Sequence, residues 1–365
     1  TSSRVSGSEI ISSNSKTSYN GNYGLNASWT LYNGNKRLKT IQQEKLNNQM
    51  AELDVATSEN NIQESIAQVY IQILYAAESV KVNENTLQVS IAQRDRGQEL
   101  LNAGSIAKSD LAQLEAQVST DRYQLVTAQA TLEDYKLQLK QLLELDGENE
   151  MNIYLPALSD ENVLAPLPTK RDVYISALSL RPEIEASKLN VEASELGINI
   201  AKSSYFPTIS LSAGIGTNHT SGSDFTFGEQ VKNGWNNSIG LSVSVPIFNN
   251  RQTKSAVQKA KLQYETSMLS LLDEQKALYK TIESLWLDAN SAQQRYAAAN
   301  EKLKSTQISY ELISEQFNLG MKNTVELLTE KNNLLQAQQE QLQAKYMAIL
   351  NTQLLKFYQG DQLAI

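Results

Sequence analysis

Apolar side chains along this chain follow two rhythms. From Tyr19 they alternate strictly: Tyr19, Gly21, Tyr23, Leu25, Ala27, Trp29 and Leu31 share one side, and Asn20, Asn22, Gly24, Asn26, Ser28 and Thr30 the other. A period of two with one apolar face predicts a strand between two different environments. The rhythm returns at Pro207, Ile209, Leu211, Ala213 and Ile215, and again at Ile239, Leu241, Val243, Val245 and Ile247. Each run has roughly the 9–11 residues that a tilted strand needs to cross a bilayer, and its small polar face suits a wet lumen. Thr217 to Asn237 reads as a polar loop, with Phe225, Phe227 and Trp235 placed for an interfacial aromatic girdle. A soluble β-sandwich face is the competing reading, but three isolated strands among so much helix make a poor sandwich.

Elsewhere the apolar positions step by four and three. Leu278, Ile282, Leu285, Ala289, Ala292, Tyr296, Ala299, Leu303, Thr306, Tyr310, Ile313 and Phe317 form such a series, echoed by Ile62, Ile66, Val69, Ile73, Ala76, Val80 and Leu87 with a polar break at Asn83. This is a seam for side-by-side helices. Lys36–Ala103 and Gln252–Leu319 contain no proline, and at 1.5 Å per residue each predicts a helix of roughly 100 Å. Gly104 and Gly320 follow as left-handed caps. Shorter helices then start near Ser109-Asp110 and Asn323-Thr324 and run over about 107–145 and 323–358. A further helix over 182–205 is expected to stack end to end on a shorter helix, so that the two together match the length of a long one.

The two halves repeat in register. Gly104 and Gly320 are 216 residues apart (320 − 104), and the same offset carries Leu31-Tyr32-Asn33 onto Ile247-Phe248-Asn249 and Asp110-Leu111 onto Glu326-Leu327. This predicts an internal duplication. Residue 217 maps onto residue 1, so a helix and a strand are expected upstream of Thr1. The resulting division is 1–35 (a Ser-rich outer loop, Thr1 to Ser18, then a membrane strand), 36–145 (long helix and hairpin), and 146–181 (linker, with a short helix at 171–180). It continues with 182–205 (short helix), 206–250 (strand pair and outer loop), 251–358 (second long helix and hairpin) and 359–365 (tail).

Composition narrows the possibilities. A net charge of −8 gives no basic footprint, so nucleic acid is excluded as a partner. There is no cysteine, which removes disulfides, thiolate nucleophiles and Cys-ligated zinc. No apolar run approaches the ~20 residues of a membrane helix, so membrane residence is left to strands. His219, the single histidine, falls in a polar loop and reads as a surface residue. No catalytic set, phosphate loop or metal spacing is present, so neither enzyme activity nor a cofactor is expected. The scattered Asp and Glu residues of the helices read as solvated faces.

Several stretches together resemble one family. Arg181-Pro182-Glu183 opens an Ala-rich helix that ends in Ser204-Tyr205-Phe206-Pro207-Thr208-Ile209-Ser210-Leu211. Val245-Pro246-Ile247-Phe248-Asn249 leads into the second long helix, and Phe317-Asn318-Leu319-Gly320 is followed by Val325-Glu326-Leu327-Leu328. These resemble the TolC-like outer membrane efflux proteins over nearly the whole chain. The resemblance implies a mainly α protein with membrane β. It implies a homotrimer in the outer membrane of a Gram-negative bacterium, with a shared antiparallel transmembrane β-barrel and an α-barrel of helical hairpins in the periplasm. It further implies docking on a periplasmic adaptor and an inner-membrane pump.

Carried onto this sequence, the docking tips are Gly104, Ser105 and Ile106 in the first hairpin and Gly320, Met321 and Lys322 in the second. A periplasmic gate would use Ser109, Asp110, Phe317, Lys322 and Glu326. Lys322 stands where arginine is usual and offers no planar fork, so a latch through it to the first hairpin is less rigid. Phe317 stands where tyrosine is common and has no hydroxyl. Thr329 replaces a second acid, leaving one carboxylate ring at Glu326. Acids near a helix start are also favoured by the macrodipole alone, which explains Asp110 and Glu326 singly as well as gating does. The lipid-facing strand residues are Tyr23, Leu25, Trp29, Leu31, Ile209, Leu211, Ile215, Leu241, Val243 and Val245, in contact with outer-membrane lipid. The function implied is the exit duct of a tripartite system for small-molecule or drug cargo. Type I protein secretion, or a non-channel coiled-coil surface protein, are the alternatives.

Overall fold

The structure, a computed structural model, describes residues 2–6, 9–13, 19–145, 153–154 and 163–363. Five strands and seven α-helices follow one another among them. They are β1 (Ser2–Ser6), β2 (Glu9–Ser13), β3 (Asn20–Asn33), α1 (Lys36–Asn102), α2 (Lys108–Leu142), α3 (Lys170–Leu180), α4 (Pro182–Lys202), β4 (Thr208–Thr220), α5 (Phe227–Asn233), β5 (Asn236–Ser244), α6 (Gln252–Asn318) and α7 (Thr324–Gln359). The fold is mainly helical, as the seams predict. Both α1 and α6 are 67 residues long, and their ends are 216 apart at each terminus (252 − 36, 318 − 102). The chain packs into two compact units: 1–48 with 189–269, and 49–188 with 270–365.

The first unit holds the strands. β3, β4 and β5 form one antiparallel sheet with β4 in the centre. Its register keeps the two faces distinct. Leu25 pairs with Ile215, Trp29 with Leu211, Leu211 with Leu241, and Ile209 with Val243, so directly opposed apolar residues share one face. Ser28 pairs with Ser212, Asn26 with Gly214, and Ser210 with both Thr30 and Ser242 on the other. Leu25 is 73% exposed and Leu241 65% exposed, whereas Ile209 and Leu211 on the central strand are half-covered by neighbours on both sides. Within the same unit Gln43 Nε2 of α1 donates to the Ala193 carbonyl of α4 at 2.8 Å.

Four details depart from the sequence-based expectations. The Ser-rich start is not simply a loop: β1 and β2 pair antiparallel. The loop after β4 is structured. β4 runs on to Thr220 because β3 continues to pair with it, and α5 is closed by a capping box between Thr226 and Glu229. Strict alternation fails at Leu31, where a bulge puts Tyr32 rather than Leu31 opposite Ile209. Val245 lies past the end of β5, ahead of Pro246, which has no N–H to continue a ladder. Phe227 packs edge-on to Tyr23 and His219, with centroids at 6.3 Å and 5.0 Å, while Phe225, Phe227 and Trp235 all remain more than half exposed.

The second unit is built from the seams. Leu278, Ile282, Ala289, Ala292, Tyr296 and Phe317 of α6 are buried, as are Ile73, Ala76 and Leu87 of α1. Ile62 departs from the series and is exposed. The C-terminal part of α7 is enclosed by its neighbours: Tyr346, Ala348, Ile349, Leu350, Leu354 and Leu355 are all buried. Arg181, between α3 and α4, is 6% exposed; its Nη2 donates to Glu64 at 2.7 Å and its guanidinium lies 3.8 Å from the Tyr358 ring centroid. Pro182 opens α4, a position where a missing N–H costs nothing. The described part of the 146–181 linker is anchored to α6: Trp286 Nε1 donates to Pro168 O at 3.0 Å and Gln293 Nε2 to Ala165 O at 2.8 Å. The rest of that linker lies outside the described residues.

Candidate functional site

The ends of the two hairpins, α1–α2 and α6–α7, are constructed alike. Ser105 N donates to Leu100 O at 2.8 Å, and Met321 N donates to Gln316 O at 2.8 Å. Gly104 N reaches Leu101 O and Gly320 N reaches Phe317 O, each at 2.9 Å. This is the six-to-one and five-to-two pattern that closes a helix through a left-handed residue. Gly104 and Gly320 both have φ of +74°, with no atom within 4 Å of where a Cβ would stand. Backbone conformation, not space, therefore selects glycine. Leu319 and Met321 at the second turn are 75% and 72% exposed.

Each following helix is capped by an acid. Asp110 Oδ2 accepts from Ala107 N at 3.0 Å. Asn323 Oδ1 accepts from Glu326 N at 2.9 Å while Glu326 Oε2 accepts from Asn323 N at 3.2 Å, a reciprocal capping box. Lys322 Nζ donates to Glu326 Oε1 at 2.6 Å. The Lys322 ammonium, followed by the Asn323 N–H, holds the Glu326 carboxyl below the usual range. Lys322 thus turns to its own hairpin, and the structure does not bring it to Ser109 or Asp110. Phe317 is buried with Leu100, Leu114 and Leu327 in a small core beneath the turns. Gly97 lets that core close, because a Cβ there would fall 2.4 Å from Leu114 Cδ1.

Further along the same hairpins lies a cluster at positions whose charges read, in sequence, as solvated. Lys331 of α7 is 3% exposed and Asp121 of α2 is 2% exposed. Lys331 Nζ donates to Asp121 Oδ2 and to Ser90 Oγ of α1, Ser90 Oγ donates to Asp121 Oδ2, and Gln117 Nε2 donates to Asp121 Oδ1 at 2.9 Å. Burial holds the Lys331 pKa below the usual lysine value, and the Asp121 carboxylate opposes that shift without reversing it. A readable signal existed. The seam Leu111, Leu114, Val118 steps next to Asp121, and Leu327 steps through Lys331 to Leu334, so opposite charges occupy core positions on two helices. Other hydrogen bonds also cross between the hairpins, among them Gln93 Nε2 to Tyr310 Oη at 2.8 Å, Ser79 Oγ to Gln339 Oε1 at 3.1 Å, and Arg96 Nη2 to Asn318 O at 3.2 Å.

Among the described residues no group of three or more His, Cys, Asp or Glu side chains is placed to hold a metal, and no helix is long and apolar enough to cross a membrane. Two helical hairpins of this length, with an antiparallel sheet apolar on one face and small and polar on the other, are the architecture of outer-membrane channel subunits. The chain belongs to the outer membrane efflux protein family, whose pattern matches residues 1–144 and 173–360. It is 24% identical over 294 residues to the outer membrane efflux protein BepC of Brucella suis, covering 80% of this chain and 61% of the relative. It is 24% identical over 294 residues to the outer membrane protein TolC of Escherichia coli K12, covering 78% of this chain and 58% of the relative. The chain thus spans about three fifths of the length of these curated relatives. A solved structure of CusC, a protein described as forming a transmembrane channel, superposes with a TM-score of 0.80 at 18% identity over 95% of this chain and 83% of that one.

Proposed function

We propose that the protein is one subunit of a homotrimeric outer-membrane channel that serves as the exit duct of a tripartite efflux system. It receives small-molecule or drug cargo from an inner-membrane pump by way of a periplasmic adaptor, and it carries out no catalysis. The observation that carries this reading is the sheet register. A ladder that keeps Leu25, Ile215, Trp29, Leu211 and Leu241 on one face and Ser28, Ser212, Thr30, Ser210 and Ser242 on the other suits lipid outside and water inside. A surface coiled coil has no use for such a sheet.

In this reading Tyr23, Leu25, Trp29, Leu31, Ile209, Leu211, Ile215, Leu241, Val243 and Val245 meet lipid, with Tyr32 joining them past the bulge. The turns at Gly104, Ser105, Ile106, Gly320, Met321 and Lys322 meet the adaptor. Ser109, Asp110 and Glu326 surround the periplasmic entrance, Glu326 contributing one carboxylate per subunit and Lys322 offsetting part of its charge. Phe317 supports the turn from beneath. The test is reconstitution of the full-length protein in planar lipid bilayers. Discrete pore conductance is expected; its absence even after the Asp110 and Lys322 contacts are broken by substitution, or extraction of the protein from membranes by buffer without detergent, would reject the duct.

A further inference from the structure

The offset of 216 residues that relates α1 to α6 also relates two recesses in the helical unit. One, of about 280 Å³, is walled by Tyr75, Ser79, Thr127, Ala128 and Thr131 of the first hairpin and closed by Leu335 and Gln339 of α7. The other, of about 320 Å³, is walled by Ser291, Arg295, Gln343, Ala344 and Met347 of the second hairpin. Each of these five follows its counterpart by 216, as in 291 − 75 and 347 − 131. Among the described residues the walls of the second recess are α6 and α7 alone. The counterparts of its missing wall are 335 − 216 = 119 and 339 − 216 = 123, which are Ser119 and Tyr123 of α2. Both are exposed, and they belong to an exposed face that steps by four and three through Val126 and Ala130. On α7 the counterparts of Val126 and Ala130, Leu342 and Tyr346, are buried in one core with Ile71 and Leu74 of α1. Val126 is 59% exposed where Leu342 is 8%. The receiving side shows the same contrast: Ile71 is 2% exposed and its counterpart Leu287 51%.

We infer that the second recess is a junction between copies of this chain, closed by α2 of a neighbouring copy with Tyr123 as the plug. The inference rests on the homotrimer reading above and names its contact faces. Side-chain sizes match across the junction. Within one copy, Gln339 Oε1 accepts from Tyr75 Oη at 3.4 Å and from Ser79 Oγ at 3.1 Å. Between copies the tyrosine changes sides: Ser291 stands for Tyr75, and Tyr123 for Gln339. A small residue on one helix thus faces a large one on the other, and the space stays filled. Ile71 with Leu342 becomes Leu287 with Val126 in the same way. Arg295, in the place of Ser79, gives the Tyr123 ring a guanidinium to lie against. The buried ion pair is not repeated, because Glu115, Thr306 and Ala337 stand at the counterparts of Lys331, Ser90 and Asp121. Packing therefore carries this junction. The α2 face and the recess are different surfaces, so the contact runs head to tail and closes as a ring of six hairpins from three copies.

The test is cross-linking of the full-length protein with a short bifunctional maleimide, since residues 1–365 hold no cysteine. The paired variants are Tyr123→Cys with Ser291→Cys, and Val126→Cys with Leu287→Cys. Each single variant is a control. So is Tyr123→Cys with Leu272→Cys, which moves the α6 thiol by 19 residues (291 − 272), about 28 Å along the helix. Both registered pairs are expected to give dimers and trimers on a denaturing gel, and the controls to give monomers. Val126→Glu is expected to shift the native mass from trimer toward monomer with helical circular dichroism unchanged. Monomeric products from both pairs, in a parent that is trimeric and conducts, overturn the junction and leave the duct standing. Equal ladders from the single variants or the displaced pair also overturn it. So does a Val126→Glu protein that stays wholly trimeric. A parent chain that is monomeric in lipid removes the trimer and the junction together.

Discussion

Gly97 of α1 and Leu114 of α2 approach so closely that a methyl on Gly97 would fall 2.4 Å from Leu114 Cδ1. Leu114 is itself 1% exposed and wedged against Leu100, Phe317 and Leu327, so it has little room to yield. In an open helix Gly→Ala gains about 0.5–1 kcal/mol. Here overpacking of about 1–3 kcal/mol opposes that gain. Gly97→Ala should therefore lower the stability of the helical region by about 1 kcal/mol, read by thermal unfolding. Adding Leu114→Ala should recover the helix gain; a Gly97→Ala variant that is more stable alone would contradict the packing described.

Removing one member of the buried ion pair strands the other. Lys331→Met should cost about 3–5 kcal/mol, and a simultaneous Asp121→Leu should restore most of it. Denaturant titration of both single variants and the double variant closes the cycle. Losses that simply add would show that the two side chains do not depend on each other.

Acid should loosen the start of α7. Glu326 has a folded pKa below its unfolded value because the Lys322 ammonium and the Asn323 N–H favour its charged form. The unfolded chain then takes up the proton first. The contribution is present above the unfolded value, near 4.5, and is lost as pH falls through the lower folded value. Hydrogen exchange over residues 320–330, corrected for intrinsic rates, should speed up below that point in the parent. In Glu326→Gln it should show no such step.

The turns should tolerate side chains in space but not in conformation. A Cβ at Gly104 or Gly320 would meet no atom within 4 Å, but valine there must adopt a φ of +74°, which costs roughly 1–2 kcal/mol. Oligomer assembly should persist while capture of a periplasmic adaptor weakens. Unchanged capture in both variants would move the docking surface elsewhere.

The two faces of the sheet should respond unequally to charge. Leu241→Arg should cost about 2–4 kcal/mol near the middle of a bilayer, whereas a basic residue on the opposite face costs far less. The yield of folded, heat-modifiable protein from Leu241→Arg and from Ser242→Arg makes the comparison. Equal yields would mean that the two faces meet the same medium.

What could be read in advance depended on how local its cause was. The limits of α1 and α6 follow from unbroken helical residues and a terminal glycine, and they were legible almost to the residue. The apolar and polar faces of β3, β4 and β5 follow from alternation and were equally plain. The bulge at Leu31, the extension of β4 to Thr220 and the β1–β2 pair each depend on a partner strand, so no window of sequence contained them. The tip was harder. Lys322 had two candidates, the remote Asp110 and the near Glu326, and a partner four residues along the same helix start is the shorter reach. Asp121 and Lys331 stood on their seams in view, but each looks like an error until the other helix supplies its opposite.

The two turns share a backbone but not a surface. Leu319 and Met321 make the second a greasy knob, while Ala103 and Ser105 leave the first small and mild. If a partner docks on both turns, as proposed above, the second offers it the larger apolar contact and the first little more than backbone.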